Sequence, residues 1–305
     1  MKKTTLFLVS LMLIFMTGCS LEPPEWAKPK ASGDVKDMKI GLSISTLNNP
    51  FFVSLKDGVV AEAAKQGIEV VVVDAQNDSA KQSNDVDDLI QQGVNALLIN
   101  PTDSSAISTV VQTANSLGIP VITLDRSAEK GEVEALVASD NIKGGQMAAE
   151  YMVEQLGEGA KVIELEGVPG ASATRERGKG FHDVADQKLK VVAKQSADFD
   201  RTKGLNVMEN LLQGNPDVKA VFAHNDEMAL GAIEAIQSSG KDIMVIGFDG
   251  NDDALNSIKA GKLTATIAQQ PELIGQLAVQ AAKDVQQGKA VEKTIPAPLK
   301  LVIKE

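Results

Sequence analysis

Cysteine is almost absent from this 305-residue chain, the single one being Cys19. No disulfide can form within one chain, so stability has to come from buried cores. Histidine is nearly as scarce: only His182 and His224 occur, so no His/Cys cluster is present to hold a metal ion. The HExxH spacing, the Walker A loop and the G-x-S-x-G elbow are all missing, which leaves no common hydrolase motif. Neither a metal nor a cofactor is expected. Positive charge is in deficit, with 30 Lys and Arg against 41 Asp and Glu and a formal net charge of −11. An acidic chain without a basic run is a poor nucleic-acid binder. Aromatic residues make up only 3% of the chain, so their positions are informative.

Long apolar runs are lacking as well. The longest uncharged one, Leu6–Met16, is too short to span a bilayer as a stable helix. Preceded by Lys2 and Lys3 and followed by small residues, it has the layout of a secretory signal, expected over residues 1–18. The stretch Met16-Thr17-Gly18-Cys19-Ser20 resembles a bacterial lipobox, with Met16 where Leu, Val or Ile is usual. That resemblance implies cleavage before Cys19, lipidation of Cys19 and anchoring to the extracytoplasmic face of the cell membrane. A lipid anchor points to a Gram-positive cell, where no outer membrane would retain a soluble protein. Residues 19–37 carry Pro23, Pro24, Pro29 and several charges without periodicity, and read as a spacer.

From Lys39 onward, short β-branched runs alternate with helical patterns. The runs are Ile40–Ile44, Val70–Val73, Ala96–Ile99, Val121–Leu124, Ala135–Asn141, Val162–Leu165, Ala220–Ala223, Met244–Phe248 and Thr264–Ala268. They are expected to be parallel strands buried on both faces. Leu55, Val59 and Ala63, and later Leu273, Leu277, Ala281 and Val285, mark apolar faces of helices. Gly67, Gly93, Gly118, Gly240 and Gly288 stand where helices should stop. The pattern is βαβ throughout and has too many units for one sheet, so the fold class is α/β with two doubly wound parallel-sheet lobes. The first crossing between lobes is expected after Ala135–Asn141, with a new helix at Lys143.

Ligands of open α/β sheets bind beyond the carboxyl ends of the strands. Those ends carry Asn48-Asn49-Pro50-Phe51-Phe52, Asp74, Asn100, Asp125-Arg126, Asn225-Asp226 and Asp249. Any one of them serves equally well as a helix cap or turn residue, the reading preferred for Asp74 and Asp226. Together they form a rim of acceptors and donors. A sugar hydroxyl both donates and accepts, so a site that buries one needs both kinds of partner, and Asp125 beside Arg126 supplies them within two residues. The apolar faces of a sugar ring need flat partners, a role suited to Phe52 and Phe199, whereas Phe7, Phe15 and Phe181 read as packing residues.

The stretches STLNNPFF (45–52), LLINPTD (97–103), VITLDR (121–126), GEVEALVASDN (131–141), ATRERG (173–178), ADFDRTKGLNVMENLL (197–212), NDEMALGA (225–232), VIGFDG (245–250) and TATIAQQP (264–271) resemble the ribose-binding family of bacterial ATP-driven sugar importers. The likeness spans Met38 to Lys304. It implies a type I periplasmic-binding-protein fold with a multi-crossing hinge, the chain returning near Gln270 and crossing again near Pro298. The implied lobes are 38–139 with 270–298, and 140–269 with 299–305. Implied contacts to D-ribose are Asn49, Phe51, Phe52, Asn100, Asp125 and Arg126 from the first lobe. Arg177, Phe199, Asn225, Phe248 and Asp249 follow from the second, and Gln269 from a crossing. The resemblance implies delivery to the permease of an ABC transporter by a monomer, with a chemotaxis receptor as a second candidate partner. His224 departs from the family pattern, where Gln is common, and is expected to be structural.

Four other classes compete with this reading. A transcriptional repressor of this architecture needs a helix-turn-helix head, and this chain starts with an export signal. A glycosidase would need Asp125 and Asp249 as an acid–base pair, but flanking arginines are expected to keep both ionised. A sensing subunit for another sugar or for autoinducer-2 shares the fold and stands as the alternative. A metal-binding lipoprotein lacks the ligands.

Overall fold

The structure, a computed structural model, describes residues 37–304. The signal segment, Cys19 and its lipobox, the spacer up to residue 36, Phe7 and Phe15 lie outside the described residues.

Two six-stranded sheets make up two lobes. The first has the order β11-β5-β4-β3-β1-β2, built from β1 (Lys39–Ile44), β2 (Glu69–Asp74), β3 (Ala96–Ile99), β4 (Val121–Leu124), β5 (Ala135–Ser139) and β11 (Thr294–Ala297). The second, β12-β10-β9-β8-β6-β7, comprises β6 (Lys161–Glu166), β7 (Lys190–Ser196), β8 (Ala220–Ala223), β9 (Met244–Asp249), β10 (Ala265–Ala268) and β12 (Lys300–Ile303). Helices α1 (Pro50–Gln66), α2 (Ser79–Gln91), α3 (Ser108–Ser116) and α9 (Pro271–Gln286) cover the first sheet. Helices α4 (Asn141–Leu156), α5 (Ser172–Lys188), α6 (Arg201–Gly214), α7 (Asp226–Ser239) and α8 (Asp252–Lys259) cover the second. Each sheet carries one apolar core on either face, as the doubly wound class requires. Among the described residues no helix is long and apolar enough to cross a membrane, and no group of three or more metal-ligating side chains comes together.

The chain passes between the sheets three times: between β5 and α4, between β10 and α9, and between β11 and β12. The last passage accounts for the one antiparallel pairing among the described residues, β10 with β12. Both sheets turn their carboxyl ends to the space between them. Strand β11 runs toward that space beside β5, and a chain continuing straight across must run away from it in the second lobe.

Sequence reading found the central strands to within a residue or two, and the five punctuating glycines all adopt positive φ, between 69° and 73°. Three strands carried too weak a pattern: β7, β11 and β12. Strand β7 is an edge strand whose burial alternates and whose Val192 is exposed. Strand β2, expected to be buried on both faces, is also an edge and only half-buried. On α9 the buried stripe is Ile274, Gly275, Ala278, Val279, Ala281 and Ala282, one position round from the expected one; Leu273, Leu277 and Val285 are half-buried. Small residues win that face because α9 lies hard against α1. A methyl group on Gly275 would sit 2.4 Å from the Leu55 carbonyl oxygen, and one on Gly58 would sit 2.3 Å from that of Glu272.

The same device recurs twice. Gly145 and Gly180 face the Arg177 and Ile142 carbonyls where α4 crosses α5, and Gly204 and Gly231 face those of Met228 and Arg201 where α6 crosses α7. Only glycine permits these backbone approaches. Each crossing seats a helix whose N-terminal end carries residues of the cleft described next.

Candidate ligand-binding cleft

Between the lobes the walls close on a small space. The first-lobe wall starts at the N-terminus of α1. The Asn49 carboxamide oxygen accepts from Phe51 N at 2.9 Å and Pro50 occupies the first turn, so the cap fixes where the two phenylalanines point. Phe51 and Phe52 pack edge to face with centroids 5.2 Å apart. After β4 the backbone turns sharply, with Asp125 at φ 61° and Arg126 N donating to Leu124 O at 2.6 Å. The Arg126 Nη1 donates to Pro101 O at 3.0 Å, its Nε lies 3.6 Å from Asp125 Oδ2, and its guanidinium covers the Phe52 ring at 5.0 Å.

On the opposite wall Arg177 of α5 is held from several sides. Its Nε donates to Asn141 Oδ1 at 2.8 Å and its Nη1 to the His224 carbonyl at 2.5 Å. The guanidinium lies 3.7 Å above the Phe248 ring, and Nη1 is 3.7 Å from Asp249 Oδ1. Gln269 Nε2 donates to that same Asp249 oxygen at 2.9 Å. Asn225 caps α7 by accepting from Met228 N at 2.9 Å, while its Nδ2 donates to Phe199 O at 3.2 Å. Phe199 (φ 60°) and Asp249 (φ 124°), like Asp125, hold a backbone that costs a non-glycine residue energy, on the order of 1–3 kcal/mol. Three of the six described non-glycine residues with positive φ thus line the cleft, held there by the surrounding fold.

Of the residues expected from the sequence, Asn49, Phe51, Phe52, Asp125, Arg126, Arg177, Phe199, Asn225 and Asp249 line this space. Asn100, Phe248 and Gln269 stand one layer back. Asn100 accepts from Ser45 N at 3.2 Å and donates to Leu124 O at 3.0 Å, tying β1 to β4 beneath the wall. Phe248 is fully buried as the platform for Arg177. Ala173 also lines the space, and a methyl side chain gives sequence reading no signal to find it. Asn141, which aims Arg177, was missed for a similar reason: it looks like an ordinary helix-start residue. Asp226 and Asp74 take the turn-tying roles expected. Asp226 accepts from Gly250 N, Asn251 N and Thr266 Oγ1 at 2.7–2.8 Å, and Asp74 accepts from Gln76 N at 2.9 Å.

His224 is structural, as its apolar neighbours suggested. Fully buried, its Nε2 meets Glu164 Oε1 at 2.9 Å, and Glu164 Oε2 meets Nε2 of His182 at the same distance. Asp186 takes the other side of His182 at 2.7 Å. Burial pushes Glu164 up, but His224 and His182 together hold it below the usual carboxylate range. Burial opposes charge on His182 too, and there Asp186 and Glu164 prevail and raise it.

The electrostatics of the cleft correct one expectation. Flanking arginines do not hold Asp125 and Asp249 firmly ionised: burial is the largest influence on both and pushes both up, Asp249 well above its usual range. Desolvation likewise lowers Arg126, to about 10. Buried Asp125 Oδ1 and Arg126 Nε, both of residues that line the space, have no hydrogen-bond partner within the protein. An acceptor and a donor are thus left for a small polyhydroxylated molecule to satisfy.

A family model described as a periplasmic binding protein domain matches residues 40–290. The chain is 72% identical over 301 residues to a ribose import binding protein of Bacillus subtilis (strain 168), covering 99% of each. It is 57% identical to a ribose import binding protein of Salmonella typhimurium, over 92% of this chain and 95% of that one. The fold superposes on a Caulobacter myo-inositol binding protein bound to myo-inositol with a TM-score of 0.84, at 34% identity over 87% of this chain and 93% of the other. A glycerol-bound solute binding protein of an ABC transporter from Mycobacterium smegmatis gives 0.84 at 38% identity, over 88% and 94%. With its two-lobed α/β fold and its cleft at the strand ends, this chain belongs to the periplasmic binding protein family.

Proposed function

We propose that the protein captures D-ribose between its lobes outside the cytoplasm and delivers it to the permease of an ABC importer. One observation carries the reading: an Asp–Arg pair from each lobe, Asp125 with Arg126 and Arg177 with Asp249, meets at one small cavity whose buried polar atoms are left unpaired. The 72% identity to a ribose import binding protein supports the choice of sugar. Phe52 and Phe199 offer flat faces to the ring, while Asn49 and Asn225 add amide donors and acceptors. In the second layer, Gln269, Asn100 and Phe248 brace the contacts. Closure is a rotation about the three crossings, with 38–139 plus 270–298 and 140–269 plus 299–305 as the moving units, and the sugar stabilises the closed form by touching both. A pentose has about ten non-hydrogen atoms, and a ceiling of about −1.5 kcal/mol per atom allows sub-micromolar affinity.

A thermal-shift screen over ribose, allose, galactose and autoinducer-2 tests the choice, because a tight ligand raises the melting temperature by mass action. Ribose is expected to give the largest shift. A larger shift with another compound, and none with ribose, would overturn the assignment. The protein is a binder and not an enzyme, so incubation with ribosides is expected to release no ribose. Anchoring is proposed at Cys19: Cys19→Ala should free the protein from the membrane fraction, and unchanged membrane retention would refute the anchor.

A further inference from the structure

Beside the cavity the lobes also touch each other directly. Ser104 N donates to the Gly170 carbonyl at 2.9 Å, and Ser172 N donates to Ser104 Oγ at 3.2 Å. Ser127 N donates to Ser172 Oγ at 2.9 Å. Ser104 and Ser127 follow β3 and β4 of the first lobe, whereas Gly170 and Ser172 lead into α5 of the second. Ser104 and Ser172 are buried in the junction, and none of these residues lines the cavity. We propose that this serine cluster is a latch: it sets the energy of the closed form whatever sugar is inside, so affinity and selectivity are controlled by different residues.

The proposal rests on the reading that the lobes close around a sugar. Apparent affinity is the affinity of the closed form scaled by the fraction of protein able to reach it. A contact made only on closure and only between lobes enters that fraction and leaves the ratio between two sugars alone. Asp125 or Arg177 would change that ratio, since they meet particular hydroxyls.

Gly170 shows how tight the latch is. A Cβ built there would lie 2.0 Å from Asp103 Oδ2, and its three nearest atoms all belong to Asp103 of the other lobe. Asp103 has little room to yield, because its Oδ1 accepts from Ser105 N and Ala106 N at 2.8 Å each. Gly170 is not among the glycines with positive φ, so alanine is tolerated by its own backbone. Gly170→Ala is therefore a wedge that acts when the lobes close and leaves each lobe free to fold.

Calorimetric titration of wild type, Gly170→Ala and Asp103→Ala/Gly170→Ala with ribose and one weaker sugar tests the latch. Gly170→Ala is expected to weaken both sugars by the same factor, about tenfold, and the double variant to recover most of the loss. Unchanged affinity, a loss that differs between the sugars, or no rescue by the double variant would overturn the latch while leaving the sugar reading intact. If wild type binds no sugar, the sugar reading fails instead. Small-angle scattering then decides the latch: Gly170→Ala more extended than wild type upholds it, and identical profiles refute it.

Discussion

The two walls of the cleft do the same chemistry by different constructions. In the first lobe the Asp–Arg pair comes from adjacent residues, Asp125 and Arg126, on one strand-to-loop turn, and its further anchors are a backbone oxygen, Pro101 O, and the Phe52 ring. In the second lobe Arg177 comes from α5 and Asp249 from the end of β9. They are aimed by Phe248, the neighbour of Asp249 on β9, and by Asn141, His224 and Gln269 from three further places in the chain. The first wall is a local motif; the second is assembled by the lobe itself. A change in the first should therefore cost binding alone, whereas a change in the second should cost binding and lobe stability together.

Arg177→Met gives the largest expected effect. It strips donors from Asn141 Oδ1 and the His224 carbonyl in a buried setting and removes the guanidinium that faces the cleft. Each buried acceptor left unpaired costs about 1–3 kcal/mol, and with the lost contact to the sugar the ribose affinity should fall at least about a hundredfold. The melting temperature should drop as well. Calorimetry and a thermal melt on the same sample check both, and a lost affinity with an unchanged melting temperature would break the comparison.

Asp125→Ala comes next. Charge-assisted hydrogen bonds to a sugar hydroxyl are worth about 1.5–3 kcal/mol, so affinity should fall at least about tenfold. The melting temperature should hold or rise, because the carboxyl removed is one whose burial already pushes its pKa up. A clear fall in melting temperature would show that the first wall is as entangled with its lobe as the second.

The same contrast explains what the sequence made legible. Strand ends with consecutive polar letters, such as Asn49-Pro50-Phe51-Phe52 and Asp125-Arg126, announced the first wall, because a loop after a parallel strand has only a few residues to offer. Arg177 lies mid-helix, and nothing in the periodicity of α5 distinguishes it from a solvated arginine; only resemblance picked it out. Asn141, Ala173 and Glu164 carried no signal because their roles depend on where other elements pack. The α9 stripe was misplaced for a related reason. Side-chain size suggested which face is buried, whereas close backbone approach at Gly58 and Gly275 selects the small residues. Strands β7 and β12 escaped because their apolar letters are too few and β11 because Pro296 interrupts it, whereas β2, also an edge, was found by its four valines.

Glu164→Gln probes how far the second-wall network reaches. Glu164 is held low by His224 and His182, so its contribution to stability is present above the usual carboxylate range and is lost as pH falls through its lowered value. His182 is raised, so its contribution is full below its usual range and is lost as pH rises through the raised value. Both are present together between about pH 4.5 and 6.5. The glutamine variant should lose the most stability there, about 1–2 kcal/mol, with a smaller deficit at pH 8, and should lower affinity less than tenfold. Urea unfolding at three pH values reads this directly. A deficit of equal size at all three would mean that charge plays no part in the network.

Asp226→Asn should disturb binding least, and it removes one of two interacting buried carboxyls of the second lobe, the other being Asp249. Burial pushes Asp226 up to about 7 against the three hydrogen bonds it accepts. Asparagine can keep the same pattern: its oxygen accepts from Gly250 N and Asn251 N, and its amide donates to Thr266 Oγ1. A protonated aspartic acid can do the same through its hydroxyl. Between the usual aspartate range and about pH 7 the folded protein therefore holds a proton that the unfolded chain has released. Stability of the wild type falls as pH rises through that window, by up to about 1.4 kcal/mol per pH unit, and levels off above it. The asparagine variant lacks the share of this slope that Asp226 contributes. Melting temperatures of the two proteins should coincide near pH 4 and separate in favour of Asp226→Asn by pH 7. Curves that stay parallel from pH 4 to 8 would mean that Asp226 remains ionised throughout, and that its three donors outweigh its burial.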